Sequence, residues 1–265
     1  QDPTGLVRTR GVKMYMDGAL GSRGAALLAP YADAEGTGLL LTPPETIKAV
    51  LAQAKASGAQ IATHAIGDRG NRLVLDAYQQ AYGADAAGLK AARWRVEHAQ
   101  VLAPDDLPRF AQLGVVASMQ PSHAIGDLFF APDRLGTERL KGAYAWESLL
   151  KTGAEIAAGS DAPVEKGDPL VEFYAAAYRH DLKGFAGPQW GLDEAVTRQQ
   201  ALDMLTKGPA YAVFHERELG TVAVGKPADL SVFSVDLMTA PFADIAKAHA
   251  VMTIVNGKVV YETPR

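Results

Sequence analysis

The sequence contains no cysteine among its 265 residues. This absence excludes disulfide bonds, a cysteine nucleophile and every thiolate metal site, so a bound metal would need histidine, carboxylate or modified lysine ligands. No apolar run reaches the ~20 residues of a membrane-spanning helix. Basic residues (26) are slightly outnumbered by acidic ones (30), which gives a net charge of −4. This balance predicts neither nucleic-acid binding nor a polybasic patch for a membrane surface.

The remaining composition is that of an ordinary folded protein. Hydrophobic residues make up 48% and charged residues 21% of the chain, which also has 26 glycines and 15 prolines. These proportions exclude a disordered, collagen-like or coiled-coil chain, and the length allows one large domain or two smaller ones.

The first residues, Gln1-Asp2-Pro3-Thr4, contain neither an initiator methionine nor a signal-like apolar stretch. We therefore expect a processed or truncated chain, and the compartment is left open.

Short β-rich runs alternate along the chain with longer segments of helical periodicity. This alternation is typical of βα units, in which helices cover a parallel sheet. Five runs are predicted to be strands, at residues 12–16, 60–64, 94–98, 115–119 and 155–159. Because successive runs are separated by enough residues for a crossover helix, neighbouring strands can be parallel.

Capping residues and helix breakers mark the ends of three of the helices. Pro is favoured in the first turn of a helix, and Gly is favoured just after the last turn. The predicted helices run from the N-cap Thr42 to Gly58, from Pro104 to Gly114, and from Asp193 to a stop at Gly208-Pro209.

The last part of the chain has a different pattern. Residues 228–233 and 251–255 are predicted as strands, and Asn256-Gly257 precedes a further strand-like run at 258–261. Asn-Gly between apolar residues is the strongest short signal for a β-hairpin. We therefore expect a small β unit at residues 216–265, appended to an α/β domain at residues 1–215.

Four side chains that can bind a metal lie in or just after four of the predicted strands. Lys13 is in the first strand, His64 and His98 end the second and third, and Asp161 follows the fifth. The carboxyl ends of parallel strands meet at one edge of a sheet, where two imidazoles, a carboxylate and a lysine could hold a cation such as zinc. Taken singly, each has an ordinary explanation as a hydrogen-bonded histidine, a solvated lysine or a turn aspartate, so only the joint pattern indicates a site.

Further polar residues follow the same strands. His123 comes after the fourth strand and either contacts a substrate or has no role; Asp68 and Arg69 either line the site or cap the next helix. The glycine-rich segment 17–24 lacks the Lys-Ser/Thr of a phosphate-binding loop, which argues against a nucleotide site. Ser22 and Ser160 have no histidine at motif spacing, which argues against a serine hydrolase.

Six segments with recognisable motifs follow one another along nearly the whole chain. They are Val12-Lys13 with residues 17–23 (DGALGSR), 63–69 (THAIGDR), 95–100 (RVEHAQ), 120–123 (QPSH), 159–163 (GSDAP) and, in the tail, 220–230 (GTVAVGKPADL). Together and in this order, they resemble the amidohydrolase superfamily, and more closely its YtcJ-like, N-substituted formamide deformylase-like branch.

The resemblance implies a (β/α)8 TIM-barrel, metal-dependent hydrolase fold with one or two divalent ions such as zinc. Lys13, often carbamylated in the superfamily, would be the ligand on strand four, with His64 and His98 on strands five and six and Asp161 on strand eight. His123 would contact the substrate, and we assign Asp17 and Arg69 to the same role. No His-X-His pair, which the family carries on strand one, occurs in the sequence.

The missing pair predicts a partial barrel of strands four to eight followed by part of a β-sandwich. Such a chain would form a homo-oligomer or associate with the missing N-terminal segment. The expected activity is hydrolysis of a small-molecule amide or related non-peptide C–N bond by metal-activated water, with Asp161 as general acid and base. Two alternatives stay open: a non-catalytic barrel fragment that serves as a binding or assembly module, and ester or cyclic-amide cleavage with the same ligands.

Overall fold

A computed structural model describes residues 9–264. They divide into two compact units, one of residues 9–118 and 130–155 and the other of residues 119–129 and 156–264. The strands are β1 (Gly11–Tyr15), β2 (Gln60–Ala65), β3 (Arg95–His98), β4 (Val116–Met119), β5 (Ile156–Ala158), β6 (Leu230–Phe233), β7 (Ala250–Val255) and β8 (Lys258–Glu262). The helices are α1 (Pro44–Ser57), α2 (Asp68–Tyr82), α3 (Ala86–Ala92), α4 (Leu107–Leu113), α5 (Pro121–Asp127), α6 (Ala131–Leu140), α7 (Trp146–Lys151), α8 (Pro169–Tyr178), α9 (Arg198–Leu205), α10 (Lys207–Ala212) and α11 (Phe242–Ile245).

The first five strands form a sheet in the order β1-β2-β3-β4-β5. The pairs β1/β2, β2/β3 and β3/β4 are all parallel. All five predicted strands are present, with ends within one residue of those expected. The prediction of an α/β fold with a parallel sheet is confirmed.

The core of the first unit is built around Trp94, just before β3. Its indole is fully buried, and Tyr78 and Tyr82 of α2 pack edge-on against it with ring centroids at 5.0 Å. The Tyr78 hydroxyl donates to Thr63 Oγ1 of β2 at 2.7 Å, so the ring is buried without losing its polar partner. These contacts hold α2, and the turn that leads into it from β2, against the sheet.

The predicted N-cap of α1 is wrong. The N-cap is Pro43, and the Thr42 hydroxyl donates instead to the carbonyl oxygen of Tyr15 at the end of β1. The C-terminal end agrees with the expectation, since Gly58 has the left-handed conformation (φ 72°) that closes a helix. Thr42 therefore ties the long β1–α1 connection to its own strand.

The single helix predicted from Asp193 to Gly208-Pro209 is also wrong. A 3₁₀ turn at Leu192–Glu194 ends in an extended residue, and α9 begins only after Thr197. Thr197 and Gln200 form a reciprocal capping box, which starts the helix at that point. Gly208 and Pro209 lie in the first turn of α10. A proline is tolerated there because the first N–H groups of a helix make no hydrogen bond within the helix.

The C-terminal strands form a separate antiparallel sheet in the order β6-β7-β8, within the second unit. Asn256 and Gly257 join β7 to β8, and both have positive φ (48° and 76°), as the predicted hairpin turn requires. The boundary predicted at residue 216 stays a prediction.

No helix among residues 9–264 is long and apolar enough to cross a membrane.

Candidate functional site

Two histidines meet at the carboxyl ends of β2 and β3. The strands are paired so that Ala65 lies opposite His98 and His64 opposite Glu97. The imidazole rings of His64 and His98 are in edge-to-face contact, with centroids 4.5 Å apart. The structure thus brings together two predicted metal ligands that are 34 residues apart in the sequence.

The predicted ligand Lys13 lies on β1, in register with Ala62 of β2. Its ammonium nitrogen is 5.3 Å from the centre of the Tyr15 ring, and that ring lies 5.5 Å from the ring of His64. Lys13 is therefore on the strand beside the histidine pair, and Tyr15 lies next to both side chains. Its role as a ligand stays a prediction.

The backbone is unusual at two of the predicted ligands. His98 has a positive φ of 77°, Ala99 after it has 43°, and Asp161 in the second unit has 57°. Non-glycine residues rarely adopt positive φ, and such residues cluster at functional sites, where the surrounding structure maintains the strain. Nothing in the sequence pattern signalled these conformations.

Asp17, a predicted substrate contact, is fully buried beside His64. Its Oδ1 accepts the N–H of Ile66 at 2.9 Å, and its Oδ2 accepts the N–H groups of Ala26 and Gly67, each at 2.8 Å. The same carboxylate lies 3.6 Å from His64 Nε2. Asp17 therefore joins the loop after β1 to the turn after β2, directly beside His64.

Burial raises the pKa of Asp17 to about 6, and the backbone N–H groups act in the opposite direction. Gly70 of α2 makes room for the carboxylate, because a Cβ at that position would lie 2.5 Å from Asp17 Oδ2. Sequence reasoning missed this packing, although Asp17 and Gly70 both lie in or beside the motifs that carry the family resemblance.

Of the two candidate site residues that follow His64, Asp68 is buried and Arg69 is exposed. Asp68 is buried, and its Oδ1 accepts the N–H groups of Leu28 (2.8 Å) and Arg69 (2.9 Å). Arg69 is exposed on the first turn of α2 and lines a cavity of about 330 Å³ together with Arg72 and Asp76. Asp68 thus orders a loop, whereas substrate binding by Arg69 stays a prediction.

In the second unit, the predicted residues His123 and Asp161 lie together. His123 belongs to the first turn of α5, and its Nε2 is 4.0 Å from Asp161 Oδ2. The imidazole is largely buried, whereas the Asp161 side chain is 41% exposed. An imidazole beside an accessible carboxylate can pass protons and orient a polar group.

Glu172 of α8 is a further buried acid that sequence reasoning missed. Its Oε2 accepts the N–H of Ser122 at 2.8 Å, and burial raises its pKa to about 7. The available signal was one carboxylate inside the apolar run Leu170-Val171-Glu172-Phe173-Tyr174. A charge in such a run is costly unless it has a partner.

The histidine pair fits part of a metal site. Imidazole nitrogens suit a borderline ion such as zinc, but catalytic zinc sites use three protein ligands. Among residues 9–264, no group of three or more His, Asp or Glu side chains could by itself hold a metal ion. The two imidazoles therefore need additional ligands.

Fold and site together define an α/β protein with a candidate metal centre at the ends of its strands. A profile of the amidohydrolase family matches residues 2–261, so the chain belongs to this family. YtcJ of Bacillus subtilis (strain 168), named as an amidohydrolase, is 35% identical over 256 residues, which are 95% of this chain and 47% of YtcJ. The resemblance to the amidohydrolase superfamily is confirmed.

Two other relatives extend the comparison. An N-substituted formamide deformylase of Arthrobacter pascens is 29% identical over 212 residues, which are 79% of this chain and 38% of that protein. The crystal structure of an uncharacterized metal-dependent hydrolase of Pyrococcus furiosus superposes with a TM-score of 0.72 and 33% identity, over 83% of this chain and 43% of that one. The chain spans less than half the length of the relatives named here.

Proposed function

We propose that this chain supplies strand-end ligands and acid–base groups to a metal-dependent amidohydrolase that cleaves an amide or related non-peptide C–N bond. The observation that carries the proposal is the contact between His64 and His98 at the ends of adjacent parallel strands. In a family of hydrolases, paired imidazoles at this edge of a sheet are most simply interpreted as metal ligands.

His64, His98, Lys13 and Asp161 are the proposed ligands, and Lys13 would serve in its carbamylated form. A divalent ion such as zinc, when bound, supplies water that ionises near neutral pH and a Lewis acid for a carbonyl oxygen. A structural relative named as a metal-dependent hydrolase supports this assignment.

Asp161 is proposed to accept a proton from the attacking water and to deliver it to the leaving amine. Its accessible carboxylate, which lies 4.0 Å from His123, supports the assignment. His123 is proposed to donate to the carbonyl oxygen as negative charge develops there. Arg69 would orient the substrate from the first turn of α2.

We further propose that β1 to β5 are part of a (β/α)8 barrel and that the sheet of β6 to β8 is part of a β-sandwich. The position of β1 at one end of the sheet supports this view, because a closed barrel gives every end strand a neighbouring strand to pair with. Further barrel strands would come from an N-terminal segment outside these 265 residues or from a second copy.

A non-catalytic binding or assembly module is the second candidate. The observation that favours it is that His64 and His98 form a pair rather than a complete set of ligands among residues 9–264. In that case the chain would keep the family's fold without binding a metal by itself.

Elemental analysis of the full natural chain, with its intact mass checked, separates the two candidates. We expect about one divalent ion or more per chain and loss of most of it in the double variant His64→Ala/His98→Ala. The matched control is His215→Ala/His249→Ala, which should keep its metal. Metal content unaffected by the first double variant would contradict the ligand assignment.

Turnover of an N-substituted formamide, followed by release of formate, tests the reaction. The N-substituted formamide deformylase relative suggests this substrate class. Asp161→Asn should abolish turnover and retain most of the metal, whereas an unchanged rate would contradict the acid–base role of Asp161.

A further inference from the structure

Helix α8 carries one carboxylate on its buried side. Glu172 is 2% exposed, and its neighbours Leu170, Phe173 and Tyr174 are buried with it. Burying an ionisable group costs free energy that an apolar side chain would not cost. A buried carboxylate therefore needs a partner that offsets this cost.

Its partner is the start of another helix. Glu172 Oε2 accepts the N–H of Ser122 at 2.8 Å, from a residue 50 positions away. Ser122 is the second residue of α5, and the first N–H groups of a helix have no acceptor within the helix. The carboxylate of α8 supplies that acceptor, and its negative charge suits the positive end of the helix.

The bonded residue is next to a proposed active-site group. His123 follows Ser122 directly, and its Nε2 lies 4.0 Å from Asp161 Oδ2. The Ser122 N–H is therefore the point at which α8 holds the backbone that carries His123.

We propose that Glu172 is a positioning residue, which holds the first turn of α5 so that His123 stays beside Asp161. The inference rests on the proposed function, because it assigns His123 and Asp161 to one reaction. Glu172 acts through the backbone and does not itself touch the substrate.

The surroundings of Glu172 favour this role over an incidental burial. Glu165 and Asp168, the nearby acids, add repulsion to the cost of burial, and the opposing interactions come from Ser122. The interaction with Ser122 therefore offsets part of the cost of placing a carboxylate at this position.

The test compares two variants of the full natural chain. Glu172→Gln keeps an oxygen that can accept the Ser122 N–H, whereas Glu172→Met has similar length and no such acceptor. Glu165→Gln is the matched control, since Glu165 is close to the same region but does not bond Ser122. Glu172→Ala replaces the methionine variant if that variant does not fold.

We expect Glu172→Met to lower kcat at least about tenfold with KM changed by less than about threefold, and Glu172→Gln to stay near the parent. In the background of His123→Ala, the methionine substitution should have no further effect on kcat, because its effect passes through His123. An equal loss with and without His123, or a lowered melting temperature with unchanged kcat, would overturn the inference.

A second readout does not depend on activity. Hydrogen exchange at the Ser122 amide should be at least about tenfold faster in Glu172→Met than in the parent and Glu172→Gln, with exchange in α8 unchanged. If the parent cleaves no amide, the proposed function fails. Unchanged exchange at Ser122 in the methionine variant would instead contradict the positioning role.

Discussion

Asp17 in the first unit and Glu172 in the second are buried carboxylates that hold backbone near a proposed active-site histidine, and the two are bonded differently. Asp17 in the first unit accepts three backbone N–H groups, from Ala26, Ile66 and Gly67. Glu172 in the second unit accepts one backbone N–H, from Ser122. Burial raises the pKa in both cases, to about 6 for Asp17 and to about 7 for Glu172.

The two carboxylates differ in how many backbone N–H groups oppose the effect of burial. Each N–H that points at a carboxylate stabilises its charged form and so opposes the effect of burial on the pKa. Asp17 has more of these donors and joins two connecting loops, so its role in the fold extends across several segments. Glu172 has fewer, lies near two other acids and holds a single helix end.

The largest expected effect is that of removing the Asp17 carboxylate. Asp17→Leu keeps the branched shape but leaves three buried N–H groups without their acceptor, at about 1–3 kcal/mol each. We expect the free energy of unfolding to fall by at least about 3 kcal/mol, measured by urea denaturation. Glu172→Met affects one N–H, and at about pH 5, where the Glu172 carboxyl is protonated and its ionisation does not contribute, it should lose less than half as much.

The control for Asp17→Leu is Asp105→Leu, at an exposed position in a 3₁₀ turn, which should change stability by less than about 0.5 kcal/mol. A loss at Asp17 no larger than that at Glu172 would remove the proposed distinction between the two carboxylates.

The second expected effect depends on pH and concerns Glu172. Its pKa rises from 4.5 to about 7 on folding, so at intermediate pH the folded protein holds a proton that the unfolded chain has released. Stability from this group is therefore fully present at low pH and is lost as the pH rises through about 7. The groups that face it are Glu165, Asp168 and Ser122.

Glu172→Gln cannot ionise, so it should gain stability relative to the parent as the pH is raised from about 5 to about 8, by up to ~3 kcal/mol. Denaturation curves of both proteins across this range measure the difference. A difference that is constant with pH would show that Glu172 does not titrate as described.

Much of the sheet could be predicted from the sequence, because apolar runs of five residues between turn signals are local features. His64 and His98 were found as strand ends, and parallel pairing then made their contact a geometric consequence. The pairing of His123 with Asp161 follows from the same reasoning within the second unit.

The two buried carboxylates could not be predicted in the same way. The bonds of Asp17 to Ile66 and of Glu172 to Ser122 join residues 49 and 50 positions apart. No local pattern specifies such partners, because they depend on how separate elements pack. The failure at residues 193–209 has a local cause, since the capping box of Thr197 and Gln200 started a helix where a longer one was expected.

The smallest expected effect concerns the space beside Asp17. Gly70 in α2 and Gly126 in α5 are both helical, and an alanine in a helix is ordinarily more stable than a glycine by about 0.5–1 kcal/mol. A Cβ at Gly126 would meet its nearest atom, Glu165 Oε1, at 3.9 Å, whereas one at Gly70 would lie 2.5 Å from Asp17 Oδ2. We therefore expect Gly126→Ala to be neutral or stabilising and Gly70→Ala to cost about 1–2 kcal/mol, because three N–H bonds keep the carboxylate in place.

A double-mutant cycle assigns the cost of Gly70→Ala to its cause. If the clash is with the fixed carboxylate, Gly70→Ala should cost nothing further once Asp17→Ala has removed that group, which makes the two substitutions strongly non-additive. Unfolding free energies of the two single variants and the double variant measure this coupling. Additive losses would mean that α2 itself needs a glycine at position 70. The N–H bonds of Asp17 would then be the only support for its role in joining the loop after β1 to the turn after β2.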